Sequence, residues 1–141
     1  MLKEEALTQK IIGACIEVHR HLGPGLLEST YRRCLCEELR LRGLGYECEK
    51  PLPVRYKGIL VDCAYRIDIV VEGKVLLETK SVNALEPIHE AQLLTYMRLG
   101  SYSIGLLVNF NVRSLRMASS AASCERLRVL CVLRGGPSPA P

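Results

Sequence analysis

The chain has 141 residues and a net charge of +4, from 19 Lys and Arg against 15 Asp and Glu. That length fits one domain with its own core, and 48% hydrophobic with 24% charged residues is typical of a soluble globular protein. The mild positive charge permits a nucleic-acid partner, but dedicated binders are more basic. With no Trp and a single Phe, Phe110, we do not expect a base-stacking platform.

Cysteine usage and the N-terminal sequence predict a cytoplasmic protein. The 7 Cys are an odd number and include no Cys-x-x-Cys pair, so we expect free thiols in a reducing compartment. Residues 1–5 lack the features of a signal peptide, and no apolar run reaches membrane-spanning length. We therefore expect no membrane partner.

Two helices are predicted in the first third of the chain. Apolar residues at helical spacing predict the first over residues 5–21, and the Gly-Pro-Gly at 23–25 ends it. The second is predicted over residues 26–42, with Gly43 at the favoured C′ position. Leu35 and Leu39 mark its buried side.

Glu28 is unusual because its position in the second helix falls within about 20° of that buried side. A carboxylate that faces the core is costly unless it is paired or bound to a metal. The alternative is a first-turn Glu favoured by the helix dipole. That alternative accounts for an exposed carboxylate but not for one directed at the core, so we interpret Glu28 as functional.

Two strands are predicted to follow. The first covers residues 46–56, and Pro51 and Pro53 suit an edge position. A turn at Lys57-Gly58 leads into the second, over residues 59–71. Asp62 is an alternative acid on this strand, but it lies far from the next turn and is expected to face solvent.

Residues 65–80 predict a β-hairpin, because two apolar-rich runs flank Glu72-Gly73-Lys74. A two-residue loop would place Asp68 opposite Leu77, whereas a three-residue loop places Asp68 opposite Glu78. Only the second register separates apolar from charged side chains, so we predict it. It puts Ile67, Ile69, Val71, Val75 and Leu77 on one face, and Arg66, Asp68, Glu78 and Lys80 on the other.

The charged face of this hairpin has the composition of a cation site. Two adjacent carboxylates, here Asp68 and Glu78, repel and raise each other's pKa unless a cation lies between them. Mg²⁺ binds carboxylate oxygens together with waters and substrate phosphates, and Lys80 could hold a water or a phosphate oxygen. The alternative is an exposed salt-bridge cluster, which contributes little to stability. The hairpin alone does not decide between the two.

A third helix is predicted over residues 87–99, with Pro87 at its first turn and Gly100 after its end. His89, Gln92 and Tyr96 share one face of it, which either lines a cleft or faces solvent.

The last third of the chain is less informative. Residues 102–110 predict a buried strand that fits a parallel arrangement. Residues 125–133 fit either a helix or a strand. Residues 135–141 predict a disordered tail, which leaves a single domain over residues 1–134.

The predicted order of elements resembles the PD-(D/E)XK nuclease core, an α/β fold of restriction-endonuclease type. That core is an α-β-β-β-α-β mixed sheet flanked by helices, with acids on the second and third strands. More closely, GLLESTY at 25–31 is similar to the pattern that names the GxxExxY family, which is widespread in bacteria. The similarity spans residues 11–116 and includes LRLRGL at 39–44, PLPV at 51–54, YRID at 65–68, EAQLLTY at 90–96 and LVNFN at 107–111.

The resemblance implies a role for each candidate residue. Asp68 and Glu78 would be metal ligands, with Glu28 and the Thr79 carbonyl as further ligands. Lys80 would orient or activate the attacking water. The Thr79 side chain, where an apolar residue is common, is expected to face away from the acids. Gln92 and Tyr96 resemble the Gln-x-x-x-Tyr element of RecB-like exonucleases and complete the set of candidate catalytic residues, which is Asp68, Glu78, Lys80, Glu28, Gln92 and Tyr96.

The leading interpretation is a nuclease that hydrolyses phosphodiester bonds in DNA with Mg²⁺ or Mn²⁺. The alternative is a nuclease-fold module that binds nucleic acid or a partner protein without cutting. A third interpretation, a salt-bridged domain with no site, would require Glu28 to point away from Asp68 and Glu78. The sequence leaves the oligomeric state open, a homodimer included, and the segment after Arg116 departs from the usual family ending.

Overall fold

The computed structural model describes residues 5–61, 65–117 and 129–135. Three helices and eight strands lie within these residues. They are α1 (Glu5–Leu22), α2 (Glu28–Leu41), β1 (Tyr46–Pro51), β2 (Val54–Tyr56), β3 (Ile59–Val61), β4 (Arg66–Val71), β5 (Val75–Lys80), α3 (Pro87–Gly100), β6 (Ile104–Asn109), β7 (Leu115–Met117) and β8 (Val129–Gly135).

Six of the strands form one mixed sheet in the order β1-β4-β5-β6-β8-β7. β1, β4 and β5 are antiparallel neighbours, whereas β6 runs parallel to both β5 and β8. β7 closes the far edge antiparallel to β8. The predicted α-β-β-β-α-β core with a mixed sheet is therefore confirmed, as are the edge position of β1 and the parallel arrangement of β6.

Helices cover both faces of the sheet and create two cores. The core on the α1 and α2 face contains Ile11, Cys15, Tyr31, Leu35, Leu39, Ile69, Leu77 and Leu106, among others. The core on the α3 face contains Leu52, Ile67, Val70, Leu76, Leu93, Tyr96, Met97 and Leu107. Because β6 lies between the two cores, every one of its residues is buried.

The register of the β4–β5 hairpin is confirmed, since Ile69 pairs with Leu77 and Val71 with Val75. Its loop residues Glu72 and Gly73 have positive φ angles of 54° and 66°, a conformation that Gly adopts without strain.

One detail of the predicted faces is wrong, because Ile67 packs with Val70 and Leu76 in the α3 core instead of with Ile69. Strict alternation fails next to Asp68. The β1 residue at that level, Glu49, has a left-handed φ of 52°, so the β1–β4 pair is distorted there.

The strand predicted over residues 46–56 is also wrong as a single element. The chain leaves the large sheet after Pro51. The backbone N–H of Leu52 still donates to Tyr65 O at 2.9 Å, and the Leu52 side chain enters the α3 core. β2 and β3 then form a separate two-stranded sheet, joined by Lys57 and Gly58 with φ angles of 45° and 87°. Asp62 lies outside the described residues.

The loop before α2 determines where that helix begins. The Tyr31 hydroxyl accepts from the Leu26 N–H at 3.1 Å and donates to Gly23 O at 2.5 Å. The Tyr31 ring stacks on Phe110 with centroids 4.7 Å apart. This buried tyrosine holds the loop against the sheet, so α2 begins at Glu28, two residues later than predicted.

The end of α2 follows the predicted pattern. Gly43 has a φ of 73°, and the Leu44 N–H donates to Leu39 O at 3.0 Å. These are features of a Schellman C-cap.

The Met97 side chain of α3 packs directly against the backbone of β6 at Gly105. A Cβ atom at that position would lie 2.3 Å from Met97 Sδ and 3.1 Å from Met97 Cγ. A side chain at position 105 would therefore force Met97 to move, whereas glycine leaves room for it.

The C-terminal predictions are tested only in part. Residues 129–133, from the segment that fitted either helix or strand, belong to β8. β8 runs through Gly135, the first residue of the predicted tail, and residues 136–141 lie outside the described part of the chain. Within residues 5–61, 65–117 and 129–135, no helix is long and apolar enough to cross a membrane.

Candidate active site

Acidic and basic side chains meet at the end of the sheet where β4 begins and β5 ends. Asp68 is the third residue of β4, and Glu78 and Lys80 lie in the last three residues of β5. Because β4 and β5 are antiparallel, these positions lie at the same end of the two strands. Helix α2 contacts both strands and carries Glu28 at its first position.

Asp68 is held by the neighbouring strand. Its Oδ2 accepts from the Thr79 backbone N–H at 2.9 Å and from the Thr79 hydroxyl at 2.9 Å. Its own N–H donates to Glu78 Oε1 at 3.3 Å. Two carboxylates therefore join the strands directly beyond the Ile69–Leu77 pair.

The prediction that the Thr79 side chain faces away from the acids is wrong. Thr79 is fully buried, and its hydroxyl donates to Asp68 because that carboxylate extends across to β5. The role of the Thr79 carbonyl as a metal ligand stays a prediction.

Glu78 is a buried carboxylate with only 6% of its surface exposed. Burial, followed by the negative charge of Asp68, raises the pKa of Glu78 to about 8. The Asp68 N–H and the positive charge of Lys80 oppose this shift. The repulsion expected between the two carboxylates is thus present, although burial has the larger effect.

Glu28 is half-buried and belongs to the same electrostatic cluster. Burial raises its pKa, the charge of Lys80 lowers it, and the charge of Asp68 raises it again. These interactions place Glu28 on the side of α2 that faces Asp68 and Lys80. The interpretation as a salt-bridged domain without a site, which required Glu28 to point away, is therefore not supported.

Arg32 is a site residue that the sequence analysis missed. Its side chain is 18% exposed, with Nη1 3.8 Å from Asp68 Oδ1 and Nη2 3.4 Å from Glu49 Oε1. It follows Glu28 by four residues on α2, so both lie on the same face of the helix. That spacing was the signal that could have identified it.

The polar face of α3 turns toward the acids. Gln92 Nε2 donates to Tyr96 Oη at 3.1 Å, and the Tyr96 ring contacts the Tyr65 ring edge-on at 6.0 Å. Burial raises the pKa of Tyr96, with further increases from the charges of Glu78 and Asp68. Gln92 is thus hydrogen-bonded to a tyrosine whose pKa responds to the charges of Glu78 and Asp68. The charge of His89 also lowers the pKa of Glu28.

The donor set fits a hard divalent cation. Asp68 and Glu78 offer carboxylate oxygens, and a bound cation would offset both the burial of Glu78 and the negative charge of Asp68, which raise the pKa of Glu78. In the part of the chain that the structure describes, no three His, Cys, Asp or Glu side chains are grouped closely enough to hold a metal. Glu28 interacts with Asp68 and Lys80 by charge, and its role as a further metal ligand stays a prediction. Mg²⁺ commonly takes one or two carboxylates, with waters and substrate phosphates completing its shell.

Comparison with known proteins assigns the chain to a superfamily. A family model described as the PD-(D/E)XK nuclease superfamily matches residues 5–120. The matched residues include α1, α2, the β4–β5 hairpin, α3 and β6. The match is to the superfamily, so the narrower resemblance to the GxxExxY family stays a prediction. No curated protein and no solved structure matches the chain.

Proposed function

Because the chain belongs to the PD-(D/E)XK nuclease superfamily, we propose that it hydrolyses phosphodiester bonds in DNA with Mg²⁺ or Mn²⁺. The observation that carries this proposal is the pairing of Asp68 with the buried Glu78 beside Lys80. Burial and the neighbouring charge of Asp68 together raise the pKa of Glu78 to about 8, and a cation bound between the two carboxylates would stabilise their ionised forms.

Asp68 and Glu78 would hold the cation, with the Thr79 carbonyl as a further oxygen ligand. A bound divalent cation supplies Lewis acidity, which polarises a phosphate and lowers the pKa of a water molecule. Thr79 fixes the Asp68 carboxylate through two hydrogen bonds to Oδ2, which leaves Oδ1 on the side of Arg32. The hairpin therefore presents a preorganised ligand.

The positively charged side chains around the site, Lys80 and Arg32, would contact the phosphate. Lys80 carries a positive charge close to Glu28 and Glu78, where it would orient the attacking water and stabilise charge on the phosphoryl oxygens. Arg32 has a planar guanidinium suited to phosphate oxygens. Glu28, with its raised pKa, would hold a water at the mouth of the site. Gln92 and Tyr96 would supply hydrogen-bond donors to the DNA backbone.

The test is cleavage of plasmid DNA, linear DNA and RNA by the full chain with Mg²⁺, with Mn²⁺ and with EDTA. We expect DNA cleavage with either cation, none with EDTA, and a decrease of at least about 100-fold for Asp68→Asn. Glu47→Gln is the matched control, because Glu47 is an exposed acid on β1 whose ion pair is with Lys50. Wild-type protein that binds DNA but never cleaves it would instead support the non-catalytic module.

A further inference from the structure

The β2–β3 sheet, residues 54–61, forms a two-stranded ribbon. It leaves the large sheet at the end where β4 begins, which is also the end that carries the candidate site. It is inserted between the end of β1 and the start of β4, where Pro51 pairs with Arg66. Asp68 lies only two residues beyond Arg66. The hydrogen bond from the Leu52 N–H to Tyr65 O, at 2.9 Å, closes the base of the ribbon.

An aromatic contact connects the base of this ribbon to the site. The Tyr65 ring packs edge-on against the Tyr96 ring with centroids 6.0 Å apart. Tyr96 in turn accepts the hydrogen bond from Gln92. A ligand bound along the ribbon would therefore lie beside the residues proposed to contact the DNA backbone.

The ribbon has almost no core of its own. Its cross-strand pairs are Val54 with Val61, Arg55 with Leu60, and Tyr56 with Ile59, and five of the six residues are exposed, Val54 being the exception. Tyr56, Ile59 and Leu60 are 59%, 60% and 56% exposed. A two-stranded hairpin is marginally stable alone, and clustered exposed apolar side chains indicate a binding surface.

The charge of the ribbon indicates which partner it fits. Residues 52–61 include Arg55 and Lys57 and no acidic residue, and the Lys57 Nζ lies 5.4 Å from the centre of the Tyr56 ring. The next acid, Asp62, lies outside the described residues. Basic side chains on a narrow ribbon suit a polyanion, and the grooves of duplex DNA admit two-stranded ribbons. Apolar side chains at its end can insert between base pairs.

We propose that the β2–β3 ribbon binds duplex DNA, with Arg55 and Lys57 on phosphates and Tyr56, Ile59 and Leu60 in a groove. This inference rests on the proposed function, which it deepens by assigning double-stranded DNA as the substrate form. The ribbon holds the duplex at the end of the sheet where Asp68 and Glu78 lie.

The first test is the salt dependence of binding to a short fluorescent duplex in EDTA, where no cleavage takes place. The Arg55→Gln/Lys57→Gln variant loses two phosphate contacts. Since each contact contributes about 0.9 to the slope of log K against log salt, the slope should become less steep by about 1.8. At low salt the affinity should fall about tenfold.

The matched control is Lys10→Gln/Arg40→Gln, which removes the same charge from exposed positions on α1 and α2. It should retain the wild-type slope. An equal decrease in slope for both double variants would overturn the proposal, because the effect would then come from net charge alone.

A second variant tests the apolar part of the ribbon against a competing partner, a second copy of the chain. Ile59→Ser/Leu60→Ser should weaken duplex binding without changing the salt slope, and sedimentation should give the same mass for variant and wild type. A wild-type dimer that this variant dissociates while duplex affinity is retained would overturn the proposal in favour of a protein interface. All substituted side chains are exposed, so melting temperatures should stay near the wild-type value and report on folding.

The two proposals fail separately. If the protein bound the duplex through the ribbon but cleaved no DNA with either cation, the nuclease proposal would be rejected and the proposal that the ribbon binds DNA would stand. Wild-type cleavage rates in both ribbon variants, or wild-type protein that binds no duplex, would reject the ribbon, whatever the result for Asp68→Asn.

Discussion

Thr79 donates two hydrogen bonds to a single oxygen of Asp68, one from its backbone amide and one from its hydroxyl, each 2.9 Å long. One residue of β5 thus fixes the rotamer of the acid on β4. The other oxygen, Oδ1, is left facing Arg32. A carboxylate held in this way loses little conformational freedom when it binds a cation.

Thr79→Val is expected to weaken this restraint while preserving the shape of the buried side chain. Loss of one hydrogen bond to a charged group should lower the free energy of unfolding by about 1–3 kcal/mol. Cleavage should fall about tenfold, because Asp68 keeps only the amide donor. Urea denaturation and initial cleavage rates measure the two effects.

Thr79→Ser is the informative partner of that variant, because it keeps the hydroxyl and loses a methyl group. It should lose about 1 kcal/mol of stability but retain most of the cleavage rate. A serine variant less active than the valine variant would show that packing at position 79, and not its hydroxyl, is important.

The pKa of Glu78 predicts how stability depends on pH. Because the folded-state pKa is raised to about 8, the folded protein binds more protons than the unfolded chain between the ordinary Glu value, about 4.3, and 8. The contribution of Glu78 to the stability of the metal-free protein should therefore be fully present below this window and be lost as pH rises through it.

Glu78→Gln should abolish most of this decrease, since glutamine does not titrate. Melting curves of both proteins in EDTA at a series of pH values test this, with about 4 °C expected per kcal/mol in a domain of this size. If the melting temperatures of the two proteins changed with pH in parallel, the pKa of Glu78 would not be raised in the folded state.

Lys80 should affect cleavage and cation binding differently. A protonated lysine cannot ligate a cation, so Lys80→Ala should keep, or slightly increase, the rise in melting temperature caused by Mg²⁺. Cleavage should fall by about 10²–10³-fold, as when a donor to developing charge is removed. Lys80→Arg should recover part of the rate. Loss of both the Mg²⁺ response and cleavage in the alanine variant would mean that Lys80 only maintains the fold.

Arg32→Gln should raise the KM for DNA several-fold with a smaller change in kcat, because a phosphate contact acts mainly in binding. Stability should change by less than about 1 kcal/mol, since its ion pairs are long, at 3.4 and 3.8 Å, and partly exposed. Arg33→Gln is the control, as Arg33 is the exposed neighbour on α2. Equal increases in KM for both variants would indicate a general charge effect.

The register of the hairpin could be predicted from the sequence because side chains alternate along a strand, whereas the fold followed from the order of elements and the family resemblance. A one-residue slip would have set Asp68 opposite Leu77 and left Glu78 on the other face, so only one register separated apolar from charged side chains. Alternation also explains the mistake at Ile67. It assumes regular backbone, and the left-handed φ of Glu49 violates that assumption at the level of Asp68.

The parts of the site that the sequence did not predict are those that depend on contacts between elements. Thr79 was assigned to the opposite face because alternation says nothing about a carboxylate that extends across to the next strand. Arg32 required knowing which side of α2 lies against the hairpin. Glu28 already marked that side, so the i, i+4 spacing on α2 would have been enough to include Arg32.

The clearance at Gly105 makes the site sensitive to a position that carries no functional group. A methyl group there would displace Met97, whose Sδ would lie 2.3 Å from the new atom, and Met97 directly follows Tyr96 on α3. If α3 moved to make room, the Gln92–Tyr96 pair would shift relative to Asp68 and Glu78 while every polar side chain remained. A comparison of variants restricted to the acids and Lys80 would therefore overlook position 105.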